Sequence, residues 1–232
     1  MGTEIPVTVP SGSLFGQLEY SYAVNNSGTD GKITSHALPM EFEIGLGKHT
    51  QINLEGEILL EERADPLGEK ESGIEELAFG LKRRLSEETS YFPASAFLVE
   101  YAPASGLEGS HSEFKTSLLL GKTLGNRVHL YISTGYLLET KRETEGSETE
   151  VENVQHFQYH FAPAVTILPH HIIGLVEFIG ETDFKNAQTE AVLMPELIVG
   201  NDDISLKVGI PLGLTGRSAD YGVRVALSRF FN

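Results

Sequence analysis

The sequence contains no cysteine among its 232 residues. Disulfide scaffolds, thiolate zinc sites, iron–sulfur clusters and cysteine nucleophiles are therefore excluded. Basic residues are also scarce, since 17 Lys and Arg stand against 33 Asp and Glu, which gives a net charge of −16 at pH 7. Because the phosphate backbone of nucleic acids attracts clusters of Lys and Arg, this balance argues against a DNA or RNA partner.

Long apolar runs are missing as well. The longest uncharged stretch, Val154–Val176, is broken by Pro163 and Pro169, so no transmembrane helix is predicted. The start, MGTEIPVTV, lacks the basic region and apolar core of a signal peptide, so we expect either a cytoplasmic protein or a mature chain. A hydrophobic fraction of 40% argues against disorder. A chain of 232 residues is a usual size for one barrel domain.

The chain is instead rich in turn residues, with 24 Gly and 10 Pro, which separate segments that alternate apolar and polar side chains. In one segment the apolar side chains of Leu38, Met40, Phe42, Ile44 and Leu46 share a face, and Glu41 and Glu43 lie opposite. Alternation with a period of two is typical of β-strands, whereas a helix would distribute the carboxylates around its circumference. We count twelve such segments, many of 10 to 12 residues.

The connections between these segments alternate in length. NNSGTDG (25–31), RADPLGEKESG (63–73) and KRETEGSETEVEN (141–153) are long, GKHT (47–50) and NDD (201–203) are short, and SEETSYFP (86–93) is an exception. Outer-membrane barrels have long extracellular loops, short periplasmic turns and strands of ~9–11 residues. The pattern predicts a single all-β domain over residues 1–232: an up-and-down antiparallel transmembrane β-barrel of about twelve strands. We expect residues 1–12 to form a short periplasmic segment.

The last strand carries a further signal. Its outward residues resemble the terminal strand by which the barrel-assembly machinery recognises outer-membrane barrels, although Arg229 interrupts that face. The predicted assembly signal consists of Tyr221, Val223, Val225, Leu227 and Phe231.

Several segments resemble the outer-membrane transporter family named for the meta-cleavage pathway of phenol degradation. These are GIEELAFGLKRRL (73–85), YFPASAFLVEYAPASG (91–106), FKTSLLLGKTLGNRVHLYISTGY (114–136) and SLKVGIPLGLTGRSADYGVRVALSRF (205–230). The resemblance covers much of the chain from residue 73 onward. It implies a twelve-stranded barrel that passes hydrophobic or aromatic small molecules, and it implies no catalytic residues.

If the apolar face meets lipid, the other face lines the lumen. Ten acidic residues fall on that face, against five Lys and Arg, and such a lumen prefers cations. The predicted pore-lining residues are Glu19, Glu41, Glu43, Glu55, Glu57, Glu61, Lys82, Arg84, Glu100, Lys115, His129, Glu139, His156, His160, Glu177, Glu196, Lys207 and Arg224. A hydrogen-bonded network that fills a plugged barrel fits the same residues, since twelve strands lie between filled and open barrels.

Metal and enzyme functions find little support. His156 and His160 share a face, but residues four apart on a strand are separated by roughly 13 Å, too far to hold one metal ion. No cofactor is predicted. Twelve-stranded outer-membrane phospholipases need an outward group of Ser, His and Asn, whereas the outward positions here are almost all apolar.

We therefore expect a non-enzymatic porin-like channel in the outer membrane of a Gram-negative bacterium, for passive diffusion or uptake of small hydrophobic or aromatic molecules. The expected partners are membrane lipids and lipopolysaccharide, the permeant and the assembly machinery, and the acidic connections could bind divalent cations. One alternative is a plugged structural barrel that anchors a partner through its acidic extracellular loops. Another is a soluble all-β protein, in which the apolar faces turn inward.

Overall fold

The structure, a computed structural model, describes residues 5–27, 31–65, 69–104, 111–145, 148–201 and 203–231. The strands are β1 (Leu14–Ser27), β2 (Gly31–Gly47), β3 (Thr50–Asp65), β4 (Glu69–Ser86), β5 (Ala94–Ala102), β6 (His111–Leu124), β7 (Val128–Glu145), β8 (Glu148–Leu168), β9 (Ile172–Asp183), β10 (Gln188–Gly200), β11 (Ile204–Gly209), β12 (Leu212–Gly213) and β13 (Tyr221–Phe231). Among these residues no helix is long and apolar enough to span a membrane.

The sheet closes on itself. Each strand pairs antiparallel with the next, and β1 pairs with β13 in a register that runs from Leu14 opposite Phe231 to Val24 opposite Tyr221. The short β11 and β12 both pair with β10 and β13, so together they form one barrel strand. Pro211 lies at the break between them, and proline has no N–H to donate to a ladder. The predicted antiparallel barrel of twelve strands is confirmed.

The two ends of the barrel differ. One end of the barrel, called here the short-turn end, contains the start of β1 and the connections β2–β3, β4–β5, β6–β7, β8–β9 and β10–β11. The other connections lie at the long-connection end, where several strands extend further than the sequence predicts. Within the segment 141–153, expected as a connection, residues 141–145 continue β7 and residues 148–153 belong to β8, and the two strands stay in register as far as Glu145 opposite Glu148. In this hairpin the backbone N–H and C=O groups are hydrogen-bonded between the strands, whereas in a loop they would be hydrogen-bonded to water.

Apolar side chains cover the outside of the barrel wall. On the consecutive strands β4 to β7, Phe79 is 55% exposed, Phe97 41%, Leu118 40% and Ile132 41%. The inward positions between them are buried, including Ala96, Leu98 and Leu119. The soluble alternative, in which the large apolar faces turn inward, is wrong because this outer face is the apolar one.

Register shifts at β-bulges change the alternation toward the long-connection end. The β2–β3 register shifts between His36 and Ala37, and the β3–β4 register shifts between Glu57 and Ile58 and again between Leu59 and Glu62. As a result Leu59 is buried, and Glu61 lies opposite His36. His36 is hydrogen-bonded to Tyr20, an exposed residue of the outer face. The inward placement expected for Glu61 is therefore wrong, because an unbroken period of two does not include an inserted residue.

Candidate functional site

The inward face of the barrel carries most of the charged residues that the sequence placed there. Glu19, Glu55, Lys82, Glu100, Glu177 and Glu196 are buried. The others, apart from Glu61, are partly buried: Glu41, Glu43, Glu57, Arg84, Lys115, His129, Glu139, His156, His160, Lys207 and Arg224. Their paired neighbours across the strands include buried small residues, such as Ala96 beside Arg84 and Ala226 beside Glu19.

The N-terminal segment (5–13) occupies the lumen at the short-turn end, although the sequence predicts a periplasmic position for residues 1–12. Pro6, Thr8 and Val9 are buried there. Two inward glycines leave the space, since a Cβ on Gly45 would lie 2.0 Å from the carbonyl oxygen of Pro10, and one on Gly121 would lie 2.7 Å from Cγ of Pro6. The lumen can hold this segment because both positions lack a side chain.

A polar network binds the N-terminal segment to the wall. The backbone N–H of Val9 donates to Oε1 of Gln51 at 2.8 Å. Nε2 of Gln51 donates to Glu43 at 2.5 Å and to Asn53 at 2.8 Å, and Nζ of Lys82 lies 2.8 Å from the same Glu43 oxygen. Gln51 and Asn53 are fully buried. Both residues are uncharged, so the charge pattern of the sequence does not identify them as lining residues.

Three ion pairs lie on the inner wall of the barrel. Nζ of Lys115 lies 2.7 Å from Oε2 of Glu100, and Nζ of Lys207 lies 3.5 Å from Oε1 of Glu196. The third pair joins Nε of Arg224 to Oε1 of Glu19, also at 3.5 Å. Each pair joins neighbouring strands, so the basic side chains are held against the wall.

A cavity of about 620 Å³ lies inside the barrel, above these pairs toward the long-connection end. We call it the acidic cavity. Its lining includes more carboxylates than bases; the acidic residues are Glu57, Glu62, Glu75, Glu76, Glu100, Glu113, Glu139 and Glu181, and the basic residues are Lys115 and Arg224. Five of these acidic residues were not predicted to line the pore: Glu62, Glu75, Glu76, Glu113 and Glu181. The ones near the β-bulges do not follow a simple alternation of inward and outward side chains.

The remaining wall of the acidic cavity contains histidine and apolar side chains. Nδ1 of His156 lies 2.9 Å from Glu181, and its Nε2 lies 3.6 Å from Glu139. Glu139 also has Nζ of Lys141 at 3.0 Å and Nδ1 of His111 at 3.3 Å. These contacts satisfy the carboxylates of β7 and β9. Apolar residues complete this wall, among them Leu137, Ile179, Val192 and Met194.

The other predicted residues lie apart from this cluster. His129 is near the short-turn end, where its ring is 3.3 Å from the hydroxyls of Thr123 and Thr166. Arg84 lies at the β2–β3 turn, and its Nη2 donates to the carbonyl oxygen of Lys48 at 3.0 Å. The structure does not bring His129 to His156. No group of three His, Asp or Glu within the described part of the chain is placed to hold a metal ion.

Solved structures of outer-membrane barrels are similar in fold to this chain, and three of them illustrate the similarity. An outer-membrane channel from Pseudomonas putida F1 aligns over 100% of both chains, with a TM-score of 0.74 and 10% identity. The NanC porin aligns over 94% of this chain and 99% of its own, with a TM-score of 0.62 and 7% identity. The translocator domain of the autotransporter NalP from Neisseria meningitidis aligns over 94% and 87%, with a TM-score of 0.63 and 9% identity.

At these identities the similarity concerns the fold. No family model matches the sequence, and no curated protein matches it. The resemblance to the transporter family named for the meta-cleavage pathway stays a prediction.

Proposed function

We propose that the protein is a channel of the Gram-negative outer membrane that admits small hydrophobic or aromatic molecules by passive diffusion through an acidic lumen. One observation carries this proposal: a closed barrel exposes apolar side chains around its outside and holds a carboxylate-lined cavity inside. A continuous apolar outer surface is stable in contact with lipid rather than with water. A carboxylate-lined interior provides a polar path for molecules and ions that pass through the barrel.

The dimensions of the wall support a position in the membrane. A strand spans a bilayer with ~9–11 tilted residues. The strands β6, β9 and β13 have 14, 12 and 11 residues, and longer strands continue past the apolar part at the long-connection end. In this arrangement lipids contact the outer wall and lipopolysaccharide surrounds the long-connection end. Tyr221, Val223, Val225, Leu227 and Phe231 would serve as the signal for the assembly machinery.

The lumen supports passage with a preference for cations. The eight carboxylates of the acidic cavity exceed its two Lys and Arg residues, so its field attracts cations and repels anions. The apolar patch around Leu137, Ile179 and Met194 offers contacts to a hydrophobic permeant. The related folds include a channel and a porin but also an autotransporter domain, so the proposal depends on this cavity rather than on the fold.

A second candidate is a plugged barrel with a structural role, which would bind a partner at its acidic long-connection end. The position of the N-terminal segment favours it, because that segment fills the lumen at the short-turn end with buried side chains such as Pro6 and Val9. The two candidates differ in one property, which is whether ions pass through the assembled barrel.

Conductance in a planar bilayer separates the candidates. The channel predicts stepwise currents, and a salt gradient across the bilayer should give a reversal potential that favours cations. Glu57→Gln should reduce that preference, whereas Glu87→Gln should not, because the Glu87 side chain is 61% exposed at the β4–β5 connection. Stable insertion without current would support the plugged barrel. A protein that stays folded and monomeric without detergent would contradict the membrane proposal.

A further inference from the structure

The carboxylates of the acidic cavity differ in what they contact. On the β7–β9 wall, Glu139 and Glu181 lie within 3.0 Å of Lys141 and His156, respectively. On the facing β3–β4 wall, Glu57 and Glu76 have no hydrogen bond and no ion pair with any residue that the structure describes. The carboxylates are therefore paired with neighbouring side chains on one wall, whereas Glu57 and Glu76 on the other wall have no such paired neighbour among the described residues.

A small pocket adjoins the β3–β4 wall. It has a volume of about 30 Å³ and shares Glu57 and Glu76 with the acidic cavity. Its other lining residues are Gln17, Glu19, Pro39, Met40, Glu41, Glu55 and Gly56. This space is large enough to hold a water molecule, and an ammonium group is of similar size.

Two buried oxygen atoms in this pocket have no hydrogen-bond partner among the described residues. They are Oε1 of Glu55, whose side chain belongs to a residue only 8% exposed, and Oε1 of Glu19, at 2%. Nε of Arg224 lies 3.5 Å from Oε1 of Glu19, beyond good hydrogen-bond distance. Burial of a carboxylate oxygen without a donor is costly, so an additional positive charge in this pocket would be stabilised.

The opposite side of the acidic cavity is apolar around Leu137, Ile179, Val192 and Met194. A ligand that contacts both walls therefore has a cationic head and an apolar body. An ammonium head provides three N–H donors, which suits several separate carboxylates that are not arranged around a metal ion. Charge-assisted bonds of this kind are among the stronger hydrogen bonds in proteins.

We propose that the lumen contains a binding site for primary amines with a short apolar body. The ammonium group occupies the small pocket against Glu55, Glu57 and Glu76, and the apolar body lies across the acidic cavity toward Leu137 and Met194. The inference rests on the proposed channel function only in treating the amine as a permeant, since binding itself requires no passage.

Titration calorimetry on the full chain in lipid nanodiscs tests the site with three aromatic probes of similar size and different charge. Benzylamine, protonated at neutral pH, should bind; benzyl alcohol should bind at least about tenfold more weakly; and benzoate should not bind, given the energy of hydrogen bonds to charged groups. Empty nanodiscs measure partition into lipid. Equal affinities for benzylamine and benzyl alcohol would overturn the proposal.

Variants locate the site. The double variant E57Q/E76Q should weaken benzylamine binding by at least about tenfold, whereas E87Q, which removes one exposed charge at the β4–β5 connection, should retain it. Heat-modifiable electrophoretic mobility checks that each variant is folded, and E76Q alone provides a milder change. Unchanged affinity in folded E57Q/E76Q would overturn the proposal. Heat from calcium chloride with none from benzylamine would also overturn it, since it would show a metal site instead.

A flux measurement distinguishes this inference from the channel function. If neither benzylamine nor benzyl alcohol enters vesicles that contain the protein, while benzylamine still binds, the channel proposal fails and the amine site stands. If both molecules enter at equal rates and the calorimetry shows no preference, the amine site fails and the channel proposal stands.

Discussion

The backbone N–H of Val9 donates a hydrogen bond of 2.8 Å to the side-chain oxygen of Gln51, a fully buried residue on β3. The amide nitrogen of Gln51 in turn donates to Glu43 and Asn53 on the inner wall. The N-terminal segment is therefore bound by directed hydrogen bonds and not only by apolar contact. Its position controls how much of the lumen is open at the short-turn end.

Substitution of Gly45 should displace the N-terminal segment. In Gly45→Ala the new Cβ would lie 2.0 Å from the carbonyl oxygen of Pro10. Because this oxygen belongs to the backbone, it cannot turn away as a flexible side chain could. Overpacking of this kind costs about 1–3 kcal/mol. We expect the segment to leave the lumen in a larger fraction of molecules, which should raise the single-channel conductance.

Gly47→Ala is the matched control for this experiment. Gly47 lies on the same strand, and a Cβ there has open space within 4 Å. Its conductance should equal that of the wild type. If both alanine variants change the conductance by the same amount, the effect comes from the strand rather than from the segment, and the segment would not be the restriction.

Removal of the Lys82 charge should destabilise the barrel. Nζ of Lys82, a residue only 1% exposed, lies 2.8 Å from Oε1 of Glu43. Loss of one partner of a buried ion pair costs about 3–5 kcal/mol because the other charge stays buried without it. Lys82→Met should therefore lower the unfolding midpoint in urea, measured from lipid vesicles by tryptic resistance. The double variant with Glu43→Gln should recover a large part of the loss.

The sequence predicts the wall of the barrel well because the wall follows one simple rule. Apolar residues alternate with polar ones along β2 and β6, so the face of each residue and the number of strands can be read directly. The same rule fails for Glu61, where a bulge inserts a residue that no sequence signal marks. It also misses the ends of β7 and β8, whose charged residues pair outside the apolar region.

The contents of the lumen were harder to predict from the sequence. The position of the N-terminal segment depends on Gly45 and Gly121, and their absent side chains acquire meaning only when Pro10 and Pro6 lie opposite them in space. In the same way, the alternation of side chains places Glu57 inside, but it cannot show that Glu139 is ion-paired while Glu57 lines the small pocket beside the β3–β4 wall. Those differences come from contacts between distant strands.

The β4–β5 connection should respond to acid through Glu88. The carboxylate of Glu88 accepts bonds from the backbone N–H of Thr123 at 2.8 Å and its hydroxyl at 3.0 Å. These bonds, the backbone one foremost, and the nearby Lys122 ammonium hold the pKa of Glu88 below its ordinary value of 4.5. The carboxylate therefore stabilises the connection above the unfolded pKa, and this contribution is lost as the pH falls through the lower, folded pKa.

Amide chemical shifts in detergent micelles can measure this titration. The Thr123 amide should shift with a midpoint below 4.5, the ordinary value for Glu88. The variant Glu88→Gln should abolish the pH dependence of the Thr123 amide shift, whereas the shifts of the other threonine amides should vary with pH as in the wild type. A midpoint at or above the ordinary value would contradict the structure, because it would mean that the two Thr123 bonds do not favour the charged carboxylate.

The terminal strand should influence assembly more than final stability. Phe231 pairs with Leu14 at the seam between β1 and β13, its ring is 43% exposed on the outer face, and the guanidinium carbon of Arg229 lies 4.8 Å from the ring centroid. We expect Phe231→Ala to slow barrel formation in a Gram-negative host, followed over time by heat-modifiable electrophoretic mobility.

Phe230→Ala is the control for this experiment. The Phe230 ring packs 6.0 Å from that of Phe15, and the Phe230→Ala variant should leave assembly in cells unchanged. Refolding into lipid vesicles without the assembly machinery should proceed at similar rates for wild type and Phe231→Ala; a variant that is slow in both settings would show that Phe231 acts on folding itself and not as a recognition signal.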